Sequence, residues 1–246
     1  MSSELRQNKI LEILTEQGAV SVRSLTSTLF ASEATIRRDL NELEKKGALK
    51  RTFGGAESIE ETNHQIPLFV REAMNSVSKN KICKQASALV RNGMSIFIDG
   101  SSTAQYLVKY LHDFNDLNVV TYSLKTAELL CKSHIRTYCT GGLLMENSLV
   151  CTGSDTISYA DHLNFDICFL SCKGVNGNGI FSDTSEEETA VRRSFLAHSN
   201  TRVLLMTANK IGNTYFHTLC RSTDIDYIFT DGILPPQMAL RKGRNN

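Results

Sequence analysis

Apolar residues recur at helical spacing over roughly the first fifty positions and then give way to short apolar runs, and that change divides the chain. Ile10, Ile13 and Leu14 share one face of a helix that stops at Gly18. Ser21 caps a second helix with Val22, Leu25 and Leu29 inward, and Ser32 caps a third in which Ile36, Leu40 and Leu43 fall at i, i+4 and i+7. Only Phe30 and Ala31 separate the second helix from Ser32, a turn short enough to hold the pair at a steep angle. Glu33 favours the positive end of the third helix, and Gly47 supplies the left-handed residue that stops it. The apolar stripe leaves Thr35, Arg37, Arg38, Asn41 and Glu42 outward or flanking. Thr and Arg side chains near the helix N-terminus are what a helix-turn-helix inserts into the major groove, and Lys50 and Arg51 ahead of Thr52-Phe53-Gly54-Gly55 read as a basic wing behind it.

Past the wing, Glu57, Glu60, Glu61, Asn63 and His64 precede Pro67, and no sustained apolar period returns before Phe69 and Val70. Residues 58–78 read as a linker that becomes ordered as it joins the next domain. From Lys79 the text alternates. A helix with Ile82, Ala86, Leu89 and Val90 inward ends at Gly93, a strand follows at Ser95 to Asp99, and a helix spans Ala104 to Leu111. Strands at Val119 to Thr121 and Arg136 to Cys139 flank a helix near Lys125 to Lys132. Further strands fall at Asp166 to Ser171, Arg202 to Met206 and Tyr227 to Thr230, with a long helix from Glu186 to His198. Such alternation predicts a mostly parallel α/β sheet covered on both faces over residues 79–235, with ligands bound at the carboxyl ends of its strands.

Charge sharpens the first half. Between Thr35 and Arg51 six basic residues (Arg37, Arg38, Lys45, Lys46, Lys50, Arg51) stand against three acidic ones (Asp39, Glu42, Glu44). Basic residues on a small helical domain are more often a solvated face than a nucleic-acid contact, but here the short turn, two caps and a Gly-Gly hairpin tip coincide. The whole chain has a net charge of only +1, so its DNA affinity must come from this patch. At 246 residues there is chain enough for two domains, and the basic end, 236–246, reads as a solvated tail. No apolar run is long enough to span a bilayer and the start lacks a secretory h-region, so a cytoplasmic protein is expected. Seven cysteines, odd in number and without a C-x-x-C pair, suggest neither disulfides nor zinc, and no cofactor is called for. They read as small reduced hydrophobes, with Cys172 beside Lys173 the one thiol whose neighbour would favour redox chemistry.

The strand ends carry the second candidate chemistry. Asp99-Gly100-Ser101-Ser102-Thr103 is a strand end running into a turn that opens a helix, where exposed N–H groups, the helix dipole and three hydroxyls favour an anion and Gly100 allows close approach. A plain helix cap is the alternative reading of the same turn. Tyr122-Ser123, Gly141-Gly142, Lys173-Gly174 and Asn209-Lys210 fall at other strand ends on the same edge, and lysines there neutralise a phosphate as point charges. Asp99 suits orienting the turn or accepting from a sugar hydroxyl.

With those residues in view, the chain resembles the DeoR family of bacterial transcriptional regulators from about residue 5 to 233. Ser32 to Leu40 is similar to the family's S-x-x-T-I-R-R-D-L signature, and Leu49 to Ala56 resembles its wing and Gly-Gly-Ala. Pro67, Phe69, Arg71, Asn75 and Lys79 fit its linker, Asp99 to Thr103 resembles its D-x-G-[ST]-T phosphate loop, and Gly141-Gly142, Asp183 and Lys210 fall where its pattern puts them. The resemblance implies a winged helix-turn-helix over 1–57 and a sensor domain related in fold to ribose-5-phosphate isomerase. It further implies a repressor of a sugar or polyol catabolic operon that leaves operator DNA when a phosphorylated intermediate binds, and because one small reading head gives limited specificity a homo-oligomer, dimer or tetramer, is expected. Tyr122 stands where the family often has Asn, Thr207 where it has Asp, and Lys173 and Asn176 where acidic residues are frequent, which adds positive potential. On this reading Ser32, Thr35, Arg37, Arg38, Lys50 and Arg51 meet DNA. Asp99, Gly100, Ser101, Ser102, Thr103, Tyr122, Ser123, Gly141, Gly142, Lys173, Asp183 and Lys210 meet the effector. Two alternatives stand beside it: an activator or constitutive DNA-binding protein whose second domain only oligomerises, and an isomerase using Asp99, Asp183, Glu186 and Lys210, for which no compact acid–base pair is evident.

Overall fold

Apolar periodicity becomes packed structure first in α1 (Ser3–Gln17), whose Ile10, Leu11 and Leu14 are buried, and which ends at Gly18 with φ 74°. A short strand, β1 (Ala19–Ser21), leads into α2 (Val22–Leu29), capped by Ser21 Oγ accepting from Ser24 N–H at 3.0 Å. Phe30, left-handed at φ 51°, turns the chain into α3 (Glu33–Lys45), whose buried Ile36, Leu40 and Leu43 form the expected stripe. The wing is β2 (Lys50–Thr52) with β3 (Gly55–Glu57), and β1 closes it into a sheet of order β1-β3-β2. At Gly55 a Cβ would lie 2.0 Å from Val20 O, so only glycine lets β3 approach β1 this closely.

The computed structural model describes residues 1–59 and 66–239, and contacts divide the chain into Met1–Ser76 and Val77–Asn246. The span read as a linker is in part built structure. α4 (Leu68–Ala73) buries Val70 and Ala73 together with Ile66 in the core of the first unit, because its apolar side chains gain more from α1 than from solvent. Glu60, Glu61, Asn63 and His64 lie outside the described residues, as do Arg241 to Asn246 of the expected tail.

α5 (Ser76–Ala86) opens the second unit, followed by β4 (Ser95–Ile98), a 3-10 segment Ala104–Asp113, β5 (Asn118–Thr121), α6 (Leu124–Lys132) and β6 (Arg136–Cys139). The hairpin β7 (Leu143–Met145) and β8 (Val150–Thr152), then α7 (Ser154–Ser158), lead to β9 (Phe165–Leu170), β10 (Gly174–Val175) and β11 (Ile180–Asp183). α8 (Glu186–Ala197), β12 (Ser199–Met206), β13 (His217–Arg221), β14 (Tyr227–Thr230) and α9 (Pro236–Ala239) complete it. Six strands form a wholly parallel sheet of order β14-β12-β9-β4-β5-β6. Alternate residues feed two cores: Ile96 and Ile98 pack with Ile82, Leu107 and Leu111 on one face, while Phe97 packs on the other against Phe195 of α8, ring centroids 3.9 Å apart.

Three features depart from the sequence expectation. The span Ala104–Asp113 winds as 3-10 rather than α, so residues three apart eclipse, and Lys109 Nζ lies 4.4 Å from the Tyr106 ring centre. A small antiparallel sheet, β10-β11-β13, and the β7–β8 hairpin are added to the parallel one. Met238 of α9 is buried in the core, so the chain past residue 235 begins as structure rather than tail.

Candidate functional sites

In the first unit, α3 is held from beneath. Asp39, on its buried side, accepts from Arg6 Nη2 at 3.1 Å, from Arg6 Nε, and from Ser3 Oγ at 3.1 Å, while Gln7 Nε2 donates to Glu42 at 2.6 Å. This fork fixes the helix against α1 and presents Arg37 and Arg38, both exposed, on the outer side. Ser32 Oγ accepts from Thr35 N–H at 3.2 Å and lies 2.9 Å from Thr35 Oγ1. Arg37 reaches Glu33 at 3.4 Å in an exposed pair that holds it only weakly. In the wing, Lys50 pairs with Glu57 at 2.9 Å, and Arg51 turns back onto α3, donating to Asn41 Oδ1 at 2.9 Å, its own N–H bonded to Glu44 at 3.0 Å. Arg51 therefore locks wing to helix. Two aromatics the sequence reading passed over, Phe30 at 96% and Phe53 at 111% exposure, stand at the turn before α3 and at the wing tip.

The second site gathers at the carboxyl edge of the parallel sheet. Asp99, fully buried at the end of β4, ties two loops together: Oδ1 accepts from Ser101 N–H at 3.0 Å and Ser101 Oγ at 2.6 Å, and Oδ2 accepts from Ser171 N–H at 2.8 Å beyond β9. Burial pushes its pKa up, against the opposing pull of Arg192 and these hydrogen bonds. Ser101 Oγ accepts in turn from Ala104 N–H at 3.0 Å, so this hydroxyl does cap the turn. Ser102 Oγ accepts from the buried Lys79 Nζ at 3.0 Å, Ser171 Oγ from Lys210 Nζ at 2.9 Å, and Thr184 Oγ1 from Lys173 Nζ at 2.7 Å. Arg192, buried on α8, donates to Ser171 O at 2.9 Å and to Asp183 Oδ2 at 3.0 Å. Burial raises the Asp183 pKa, but Arg192 and Lys173 outweigh it and hold the carboxyl below its ordinary value.

A single run of contacts thus unites Asp99, Ser101, Lys210, Asp183 and Lys173 through Ser171, Arg192 and Thr184, with Lys79 of α5 bonded to Ser102 in the adjoining turn. Lysines seated on hydroxyls can exchange those partners for phosphate oxygens. Other predicted residues serve the frame. A Cβ on Gly100 would lie 2.3 Å from Val150 Cγ1 and 3.2 Å from Tyr122 Cε2, so the close approach it permits is taken by protein. Tyr122 is fully buried, stacked on Phe97 at 6.0 Å, and its hydroxyl has no hydrogen-bond partner among the described residues. The Thr103 hydroxyl is likewise buried and unpartnered. Ser123 caps α6 by accepting from Thr126 N–H at 3.2 Å. Gly141 and Gly142, at φ 71° and 117°, end β6, where Gly141 O accepts from Thr156 Oγ1 at 2.7 Å. Cys172 is buried, and burial pushes its thiol to about 12, so it stays protonated at neutral pH beside Lys173, in line with its reading as a small hydrophobe.

Sequence reasoning gave Lys79 and Arg192 no place in this site. Lys79 shares the buried face of α5 with Ile82, Cys83 and Ala86, and a lysine on an apolar stripe was the available signal. Arg192 has Glu188 as its i,i+4 neighbour at 3.9 Å, but Asp183, from β11, is closer at 3.0 Å, a contact no local spacing discloses.

Known proteins match both halves of the chain. Residues 6–62 match the DeoR-like helix-turn-helix domain, and residues 74–232 match the DeoR C-terminal sensor domain. The chain belongs to the DeoR family. This DeoR-family chain is 35% identical to the uncharacterized HTH-type transcriptional regulator YulB of Bacillus subtilis, over 94% of its own length and 90% of that protein's. It is 27% identical to the glycerol-3-phosphate regulon repressor of Escherichia coli, over 98% and 94%. Among solved structures, ribose 5-phosphate isomerase A from Methanocaldococcus jannaschii is similar at 18% identity and a TM-score of 0.42, covering 56% of this chain and 55% of that one. The DeoR-family chain is a DNA-binding transcriptional regulator rather than an enzyme. Among the described residues no helix is long and apolar enough to cross a membrane.

Proposed function

We propose that this regulator represses a carbohydrate or polyol catabolic operon in the cytoplasm and is released from its operator by a phosphorylated sugar intermediate. The observation that carries the reading is the linked network at the carboxyl edge, where Lys79, Lys173 and Lys210 each rest on a hydroxyl around the Asp99–Thr103 turn. An incoming phosphate replaces those hydroxyls as the lysines' partner. The name of the Escherichia coli relative, a glycerol-3-phosphate regulon repressor, supports the same ligand class. A hundredfold release needs roughly 2.7 kcal/mol of coupling between effector and operator.

Thr35, Arg37 and Arg38 supply the groove and phosphate contacts, with Ser32 fixing the helix start and Lys50 and Arg51 supporting from the wing. Both exposed arginines are free to leave weak or solvent-facing positions for DNA without disturbing the core. Arg37→Ala and Arg38→Ala each lower operator affinity more than tenfold in gel-shift titrations while leaving the thermal unfolding midpoint unchanged. Wild-type affinity in either variant overturns the contact assigned to that residue.

A further inference from the structure

Two cysteines far apart in spacing pattern, and assigned to neither candidate site, are brought together by the fold. Cys139 ends β6, where it stands beside Thr121 in the parallel register of β5. Cys151, in the middle of β8, donates its N–H to Tyr122 O at 2.7 Å, one residue past the end of β5. Three further contacts hold the chain after Cys139 against β8 and α7. Gly141 O accepts from Thr156 Oγ1 at 2.7 Å, Leu143 O accepts from Thr152 Oγ1 at 3.3 Å, and a Cβ on Gly142 would lie 2.6 Å from Thr152 O. Within that frame the two thiols share a hydrogen bond. Cys139 is exposed and Cys151 is buried.

We infer that Cys139 and Cys151 are a reversible dithiol–disulfide pair, oxidised by hydrogen peroxide, that clamps the Gly141-Gly142 turn to β8. An accessible thiol set on a buried one is the arrangement of an attacking and a resolving cysteine. Cys139, which a dissolved oxidant reaches, reacts first. Its sulfur attacks the peroxide, an S–O bond forms, the O–O bond breaks, and the departing hydroxide takes the thiol's proton to leave as water. Cys151 then attacks the Cys139 sulfur. An S–S bond forms, the S–O bond breaks, and hydroxide departs with the Cys151 proton as a second water. The two thiols have given up two electrons and one peroxide has become two waters. Burial, and then the neighbouring thiol, hold Cys151 protonated, so it does not meet the oxidant itself and acts only on a sulfur already in contact. Cys83, Cys168, Cys172 and Cys220 are buried, out of reach of a dissolved oxidant. Among the described residues no third His, Cys, Asp or Glu gathers to make a metal site, so the pair offers a metal ion too few ligands. That the clamp alters the response to an effector rests on the proposed function, because Gly141 and Gly142 were assigned to that site; the disulfide itself does not.

The test uses the full chain carrying Cys131→Ser, which removes the other exposed thiol. After treatment with hydrogen peroxide at neutral pH, two thiols fewer titrate in denaturant, the intact mass falls by two hydrogens, and peptide mapping joins Cys139 to Cys151. Dithiothreitol reverses all three. Adding Cys139→Ser, a change at an exposed position, abolishes the loss of thiols. Cys151→Ala instead leaves Cys139 stranded as the sulfenic acid, which dimedone traps, while the intact pair gives little of that adduct. Amide exchange over residues 140–149 slows severalfold in the disulfide form, a reading of the clamp that needs neither DNA nor effector. An unchanged thiol titre, a disulfide joining either cysteine to another residue, or equal amide exchange in the two forms overturns the inference. A pair that closes and clamps the turn in a chain whose operator binding ignores every sugar phosphate refutes the proposed function and leaves this inference standing.

Discussion

Tyr122 carries the sharpest question at the scale of single residues. Its ring fills the space beside Gly100, yet its hydroxyl is buried without a partner, a cost of roughly 1–3 kcal/mol. Burial drives its pKa well above the ordinary tyrosine value, so the group is neutral and can donate. Tyr122→Phe removes the unpaired hydroxyl and keeps the stacking on Phe97. Urea unfolding then shows a stability unchanged or higher by about 1 kcal/mol. A loss of more than about 1 kcal/mol contradicts the absence of a partner. The sequence showed that Tyr122 stands at a strand end, but not that its side chain turns into the core, because direction depends on which loop covers the sheet. Asp39 had the opposite history. It lies inside the motif that named the recognition helix, yet its role, a fork to Arg6 thirty-three positions away, is a long-range contact that local pattern cannot carry.

Elements were legible where they were long enough to hold a period. α1, α2 and α3 show three or more inward residues each, and the parallel strands read as apolar runs because both faces of their sheet are covered. β1, β7, β8 and β10 are two or three residues long, too short for alternation to show, and pairing alone makes them strands. α4 escaped notice because six residues make under two turns, yet its burial moves the edge of the first unit to Ser76. The wing offers the test at this scale. Gly55→Ala drives a methyl into Val20 O and parts β3 from β1, at a cost of roughly 1–3 kcal/mol. Operator affinity falls by more than tenfold although every residue of α3 is intact. Unchanged affinity shows that wing placement does not matter to DNA binding.

At the scale of the whole molecule, a helix-turn-helix domain and a C-terminal sensor domain are joined in one DeoR-family chain, and the anion site at the sheet edge is the proposal. Both candidate sites were legible in the sequence because each is built on a local run, Ser32 to Leu40 and Asp99 to Thr103. Local pattern did not disclose that Lys79, Ser171, Thr184 and Arg192 complete the second site, since they come from α5, α8 and the loops after β9 and β11, which only the fold assembles. The central claim is that this network is the input of a switch whose output is operator binding. Its most direct test is a gel-shift titration of the purified chain on its own upstream DNA, with sugar and polyol phosphates set against their unphosphorylated parents. The account predicts that one phosphate abolishes the shifted band while its parent sugar does not, and that Lys210→Ala blunts the response without weakening DNA binding. A band that survives every phosphate, or one that yields equally to the parent sugar, contradicts it.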